Sequence, residues 1–396
     1  MALTSNHVNN ELIKFRRTAA IDFLRKSRFD PFMGSDSTSV IVRMSDLVGD
    51  GKEINIPLVT QMTGSGVGAG ILRGNEEQID SYGFPVWADW ARNAVANNRA
   101  VNKESSFSIR STARSLLSGW SRRIVRDDII DALLSIPTAA VQANRLTTPG
   151  NRVNGIKWSA ATAAQKNTWV TANADRVVFG SVIANYTTTF ATAVANVDST
   201  NDKMTAAVGS LMKNVAQQTG VSASNPGVYN GLPKITPFQM KSTDQEWYVC
   251  FLGSRAMRDL KADTVMTAAN RDAREREGAD PTKVNPIFTG GGLIYDGVIY
   301  LEIPEITQRL LLSGVGNGSI AVEPVFLCGQ GALAYALGQM PRPTTLEDGD
   351  YDFITGMGIE AQYGIGKIAK ISMGDSSNAL VDWGMVTGFV SGVANA

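Results

Sequence analysis

Residues 52–62 read KEINIPLVTQM, residues 64–70 read GSGVGAG, residues 74–77 read GNEE, and residues 84–97 read FPVWADWARNAVAN. The first stretch alternates apolar and polar side chains well enough for a strand. Pro57, with no backbone N–H to donate, pushes that strand toward a sheet edge. The last stretch is a second extended run and carries Trp87 and Trp90. Between them lie Gly64, Gly66, Gly68 and Gly70 and an acidic turn holding Glu76 and Glu77. Strand, flexible tip and returning strand make a protruding hairpin. Such a ribbon cannot bury itself and is only marginally stable alone, so it is expected to rest on something else.

The same glycines fit the loose GxGxxA form of a dinucleotide-binding loop (64–69). That fingerprint has meaning only between a buried strand and a helix. Here the preceding strand is half polar and contains Pro57, and the following ILRGNEE opens no helix. A hairpin tip, where glycine's tolerance of positive φ is needed, explains the pattern better.

C-terminal to the hairpin, residues 105–134 carry the clearest helical pattern. Ser105 or Ser106 can cap it, and Ile109, Ala113, Leu116, Leu117, Trp120 and Ile124 trace one apolar stripe. The stripe predicts that Trp120 packs in the middle of a core. Arg110, Arg114, Arg122 and Arg126 lie off it; they could bind phosphate, but a charged face or ion pairs between subunits explain such spacing better. Pro137 ends the pattern. N-terminal to the hairpin, residues 11–28 form a short amphipathic helix whose basic residues include Arg16 and Arg17. It reads as a solvated basic face or as an arm touching a neighbouring subunit or enclosed nucleic acid.

Residues 138–203 are rich in Ala, Thr and Asn, poor in charge, and read as irregular or inserted, with a scattered strand signal at 175–180. Met204, Val208, Leu211, Met212 and Val215 mark a helix stopping near Gly220. Residues 246–252 are a buried strand with a polar helical stretch after it. The remainder is dominated by strands, at 293–303, 321–327, 351–371 and 380–390. A helix-containing front followed by a helix-poor end indicates an α+β chain rather than alternating βαβ units.

The 396 residues are enough for one large domain or two smaller ones. Lys plus Arg and Asp plus Glu both total 37, so the net charge is zero. A dedicated nucleic-acid binder shows a basic excess, whereas zero net charge lets many copies pack side by side without mutual repulsion. The one histidine, His7, sits in a polar tail, which removes Ser-His-Asp and Cys-His catalysis and most histidine metal sites. Cys250 and Cys328 each sit in an apolar run and read as buried small hydrophobes in a reducing compartment. Glu347, Asp348, Asp350 and Asp352 lack the glycine and glutamate of a calcium loop and read as a solvated turn. No catalytic, cofactor-binding or metal-binding residue emerges. No apolar run spans a bilayer and no signal peptide opens the chain, so a soluble cytoplasmic product is expected.

In order, these features resemble the tailed-bacteriophage major capsid fold, with its N-arm, extended loop, peripheral domain with long spine helix, and axial domain. More narrowly the chain is similar to the capsid family of large-virion podoviruses related to coliphage N-four. The matching stretches are INIPL (54–58) with GNEE (74–77), WYV (247–249) through RDLK (258–261), NPIFTG (285–290), YDGV (295–298) and LCGQGA (327–332). The resemblance implies an N-terminal arm at 1–50, an extended loop at 51–100 and a peripheral domain at 101–200. An axial domain at 201–349 and C-terminal strands returning to the peripheral domain at 350–396 complete it. It implies a non-enzymatic subunit, free of cofactors, that assembles as hexamers and pentamers into an icosahedral shell around phage double-stranded DNA. Portal, scaffolding and decoration proteins would be its other partners, with DNA contacted non-specifically and no membrane involved. The virion would be its location and the host cytoplasm its place of assembly. Gly64, Gly66, Gly68, Gly70, Glu76, Glu77, Trp87, Trp90, Arg16 and Arg17 are the expected intersubunit contacts, with the Trp87/Trp90 strand buried against a neighbour. The alternatives are an encapsulin-like nanocompartment shell and, from another class, a nucleotide-dependent enzyme using the loop at 64–70.

Overall fold

The structure, a computed structural model, describes residues 27–48, 51, 53–59, 62, 66–76, 81–104, 109–138, 151–220, 232–239, 245–269, 293–349, 353–370 and 380–394. The basic segment at 11–26 with Arg16 and Arg17, the residues Gly64 and Glu77, and the NPIFTG stretch lie outside them. So do Asp350, Asp352 and the side chains of Glu347 and Asp348.

The described strands begin with β1 (Met33–Gly34), β2 (Ile41–Met44), β3 (Glu53–Val59), β4 (Ser81–Trp87), β5 (Asp89–Asn98) and β6 (Val177–Phe179). They continue as β7 (Phe238–Gln239), β8 (Glu246–Leu252), β9 (Leu293–Tyr295), β10 (Val298–Glu302) and β11 (Val322–Cys328). Last come β12 (Leu333–Gly349), β13 (Ile354–Lys367), β14 (Ala369–Lys370), β15 (Val381–Asp382) and β16 (Met385–Ser391). The helices are α1 (Arg99–Glu104), α2 (Ile109–Leu133), α3 (Ala163–Ala172), α4 (Phe190–Ala195), α5 (Ala206–Gln218), α6 (Ser254–Ala262) and α7 (Pro304–Leu310). Helix and sheet are both substantial, as expected of an α+β chain.

Two compact units form. One is built on Ala91–Val125 and Met340–Ala361, the other on Arg28–Trp90, Arg126–Gln339 and Gln362–Ala396. In the second, larger unit β6, β16, β11, β8, β10 and β9 hydrogen-bond in that order, with β7 on β8. β8 (EWYVCFL) and β11 (VEPVFLC) are nearly continuous apolar runs, the signature of strands covered on both faces. Met212 and Val208 of α5 and Met257 and Leu260 of α6 share one buried cluster with Cys250, Tyr300, Val325, Leu327 and Val386 of the sheet. The tight β9–β10 connection needs Asp296 and Gly297 both at positive φ, which is what an Asp-Gly hairpin turn supplies.

The segment expected to be irregular is, from residue 151 onward, part of this core. Thr162 and Gln165 close a capping box on α3. β6 pairs in parallel with β16. Trp158, Trp169, Phe179, Phe190 and Phe389 pack ring against ring, with Phe179 and Phe389 stacked 5.1 Å apart. Aromatic rings at irregular spacing do here what periodic aliphatic residues do elsewhere, so no helical or strand period announces them.

The hairpin exists but is shorter and better anchored than expected. β3 and β4 pair antiparallel from Glu53↔Trp87 to Val59↔Ser81. The returning run breaks at Ala88, and β5 does not continue the ribbon. Leu58, Phe84 and Val86 pack with Leu47, Ala334, Ala336, Ile368 and Leu380. Trp87 is 2% exposed and its indole N–H donates to the Asn151 carbonyl at 3.0 Å. Trp87 is therefore buried by its own chain, which corrects its assignment to an intersubunit contact; Trp90, 43% exposed, keeps an outward ring.

The long helix is α2, 25 residues or about 37 Å at 1.5 Å per residue. Its buried side runs through Ala113, Leu117 and Ser121, spaced by four. Leu116 is exposed and Trp120 only half-buried, so Trp120 is not the core anchor the stripe predicted. The fully buried stretch lies at the C-terminal end, where Ile129, Ile130, Leu133 and Leu134 are all within 1% of complete burial.

Candidate functional site

The anchored base of the hairpin and its tip differ sharply. All described residues from Gly66 to Glu76 are exposed. The tip is not featureless: Gly70 N–H donates to Val67 O and Asn75 N–H to Leu72 O, giving two successive turns. The Asn75 amide also donates to Ile71 O, and Glu76 accepts from Gly74 N–H. Gly66, Gly68 and Gly74 take positive φ with open space around the missing Cβ. Their glycine is thus required by turn conformation, not by crowding. Val67, Ile71 and Leu72 of this tip face solvent, Ile71 being 79% exposed, and Met62 before it is exposed as well. Sequence reading weighted the glycines and missed the apolar Ile71-Leu72 pair, although an apolar pair directly after a glycine run in a polar loop was a visible signal.

Within the smaller unit a second uncovered surface occurs. Val95, Val101, Leu116, Met340, Leu346 and Phe353 are all exposed there. A cleft of about 390 Å³ includes Leu117, Met340, Met357 and Ile359 in its lining, with Arg114 and Arg122 beside them. Exposed apolar side chains, where they form a patch, mark surfaces that meet another molecule.

Several charged residues described in the larger unit pair within the chain. Arg126 pairs with Glu305 at 2.8 Å, Arg152 with Asp128 at 2.8 Å, and Arg309 with Asp131 at 2.7 Å. Tyr363 donates to Asp128 at 2.7 Å, and burial together with the Asp128 charge pushes its phenol up. Arg126, one of the four helix arginines, is thus an internal partner and not a phosphate contact. Cys250 and Cys328 lie unpaired and fully buried, and desolvation raises both thiols, as expected of small hydrophobes. The described part of the GxGxxA pattern, Gly66 to Ala69, is exposed, and the next described element is the strand β4, not a helix.

What emerges is a folded chain with an anchored hairpin, an exposed apolar tip and further uncovered apolar side chains in the smaller unit. Comparison with known proteins agrees. The family model described as phage capsid protein matches residues 4–394. The chain belongs to the phage capsid protein family. A curated relative, the major capsid protein of Pseudomonas phage KPP25, is 26% identical over 392 residues, covering 94% of each chain. The solved cyanophage Pam1 capsid subunit is 32% identical, with a TM-score of 0.82 and complete coverage of both chains. The capsid of Ralstonia phage GP4 shares the fold at 19% identity, with a TM-score of 0.70 over 99% of this chain and all of that one.

The protein is thus a major capsid protein, a structural subunit of a phage shell. The encapsulin-like and nucleotide-enzyme readings find no support in these likenesses. As a capsid protein its working surfaces are those that meet other copies. Gly66, Gly68, Gly70 and Glu76 lie together on the hairpin tip, whereas Trp90 lies beyond β4 and Trp87 is inside the fold.

Proposed function

We propose that the subunit builds an icosahedral shell of hexamers and pentamers enclosing phage double-stranded DNA, with its hairpin tip laid on a neighbouring copy. The observation carrying this reading is the contrast along one ribbon. Leu58, Phe84 and Val86 are buried at its base, and Met62, Val67, Ile71 and Leu72 are uncovered at its tip. A ribbon held firmly at one end can present apolar side chains to a partner with little loss of chain entropy on contact. Gly66, Gly68, Gly70, Glu76 and Trp90, with Gly64 and Glu77, form the intersubunit contact in this reading. Arg16 and Arg17 of the N-terminal arm join it or touch packaged DNA non-specifically.

The same reading divides the chain into an arm at 1–50, an extended loop at 51–100, a peripheral domain at 101–200, an axial domain at 201–349 and returning strands at 350–396. It includes the narrower kinship with podoviruses related to coliphage N-four, assembly in the host cytoplasm, and portal, scaffolding and decoration proteins as partners. The subunit performs no catalysis in it. Electron microscopy of the purified protein, with and without co-expressed scaffold, tests the proposal. Rings, sheets or closed shells are expected, and a monodisperse monomer at high concentration in both preparations would overturn it.

A further inference from the structure

One cluster in the larger unit is explained neither by the shell contacts nor by ordinary core packing. Lys367, the last residue of β13, is fully buried, and its Nζ lies 2.8 Å from Oδ2 of Asp382 on β15, itself 1% exposed. Trp169 closes the site: its indole N–H donates to the same Oδ2 at 3.2 Å, and Nζ sits 4.8 Å from the ring centre. Asp382 is held from behind, its N–H donating to Asn173 and its carbonyl accepting from Arg176.

The pairing is poorly matched as an ion pair. An ammonium carries three N–H donors and a carboxylate about four acceptor positions. Here Nζ has one hydrogen-bond acceptor, Oδ2 takes both donors, and Oδ1 is buried with no partner. A buried pair repays its desolvation only when the remaining donors and lone pairs are satisfied. Burial lowers the Lys367 amine below its ordinary range despite the Asp382 charge, which favours the uncharged amine that a nucleophilic attack needs.

We propose that Lys367 and Asp382 condense into an intrachain amide. Once the ammonium has passed a proton to Oδ1 of the carboxylate, the Nζ lone pair attacks Cγ of Asp382, forming the Nζ–Cγ bond. The Cγ–Oδ1 bond breaks, and Oδ1 leaves as water with its own proton and one from Nζ. No electrons are exchanged and no co-reactant is needed. Oδ2, already held by the Trp169 N–H, becomes the amide oxygen. The product removes both buried charges and the unpartnered oxygen, and leaves a single N–H to place. The bond would tie the end of β13 to β15 and close the intervening segment covalently, a staple suited to a subunit that must hold a filled shell.

Mass spectrometry of the intact, denatured full-length chain tests this directly. The expected mass is one water, about 18 Da, below that of the unmodified sequence, because amide formation expels water as other covalent modifications change mass. Tryptic digestion should yield a branched peptide joining the segments around residues 367 and 382, with no cleavage after Lys367. Lys367→Met, which keeps the apolar volume, should show the full mass of its own sequence, with no water lost. An intact mass equal to the unmodified sequence would overturn the proposal. So would a lost water mapped to another site, or a lost ammonia with Lys367 joined to Asn173.

Discussion

At the scale of single residues, the core carries polar groups whose behaviour can be measured. Glu323 of β11 is completely buried, and desolvation holds its carboxyl above its ordinary 4.5 even though Thr307 and the Ala256 N–H donate to it. The folded chain then binds this proton more tightly than the unfolded chain. The resulting stabilisation is full below pH 4.5 and is lost as pH rises through the raised value. Glu323→Gln keeps the shape and can still accept from Ala256. The stability of wild type minus that of Glu323→Gln, followed by urea unfolding at several pH values, should therefore fall as pH rises through that interval. A difference independent of pH would show that the carboxylate ionises as it does in the unfolded chain. Gly364 makes a different kind of demand: a Cβ there would run into the backbone carbonyl of Trp87. Backbone cannot step aside as a side-chain end can, so Gly364→Ala should cost about 1–3 kcal/mol or more, as overpacking does. Thermal or urea unfolding would read this, and an unchanged midpoint would mean that β13 and the end of β4 are not in such close contact.

At the scale of elements, what could be read in advance was what has a period or a punctuating residue. The β3 alternation around Pro57 and the stop of α2 before Pro137 were legible; the Asp-Gly turn between β9 and β10 was passed over, because the apolar run 293–303 reads as one strand. The core at 151–203 was not legible, because Trp158, Trp169, Phe179 and Phe190 follow no fixed spacing and pack on one another and on Phe389 of a distant strand. Trp120 misled for a related reason. Helical spacing says which residues share a face, but not where along the helix a covering element stops, and the cover is complete only toward Leu133. Trp87 and Trp90 are three residues apart in one extended run, yet a break at Ala88 sends one inward and leaves the other exposed. The hairpin tip provides the element-scale prediction. Its described residues touch little besides themselves, so deleting residues 64–70 should move subunit stability by no more than about 0.5 kcal/mol, the range of surface changes, while impairing shell formation. Limited proteolysis should cut free subunits at 64–74, where exposed tips are attacked first, and assembled shells far less. A deletion that unfolds the isolated subunit would make the tip part of an internal core instead.

At the scale of the whole molecule, the balance of forces decides how copies should associate. With 37 basic and 37 acidic residues the net charge is zero, so no long-range repulsion must be screened before subunits approach. Several charged residues of the larger unit pair internally, as Arg126, Arg152 and Arg309 show. Each unit also leaves large apolar side chains uncovered: Met62, Ile71 and Leu72 in one, and Leu116, Met340 and Phe353 in the other. Apolar burial strengthens with salts excluded from the surface, whereas exposed ion pairs weaken as the Debye length shrinks from about 10 Å at 0.1 M to about 3 Å at 1 M. Association should therefore persist or increase as sodium sulfate is raised, followed by light scattering at fixed protein concentration with particles checked by electron microscopy. Replacing both Ile71 and Leu72 by aspartate should leave the far-ultraviolet circular dichroism and unfolding midpoint of the subunit near wild type and abolish the salt-promoted assembly. If instead moderate salt dissolves the assemblies, and the double variant assembles normally, the contacts between copies are carried by exposed charges such as Arg114 and Arg122. The apolar tip would then be a bystander in the construction of the shell.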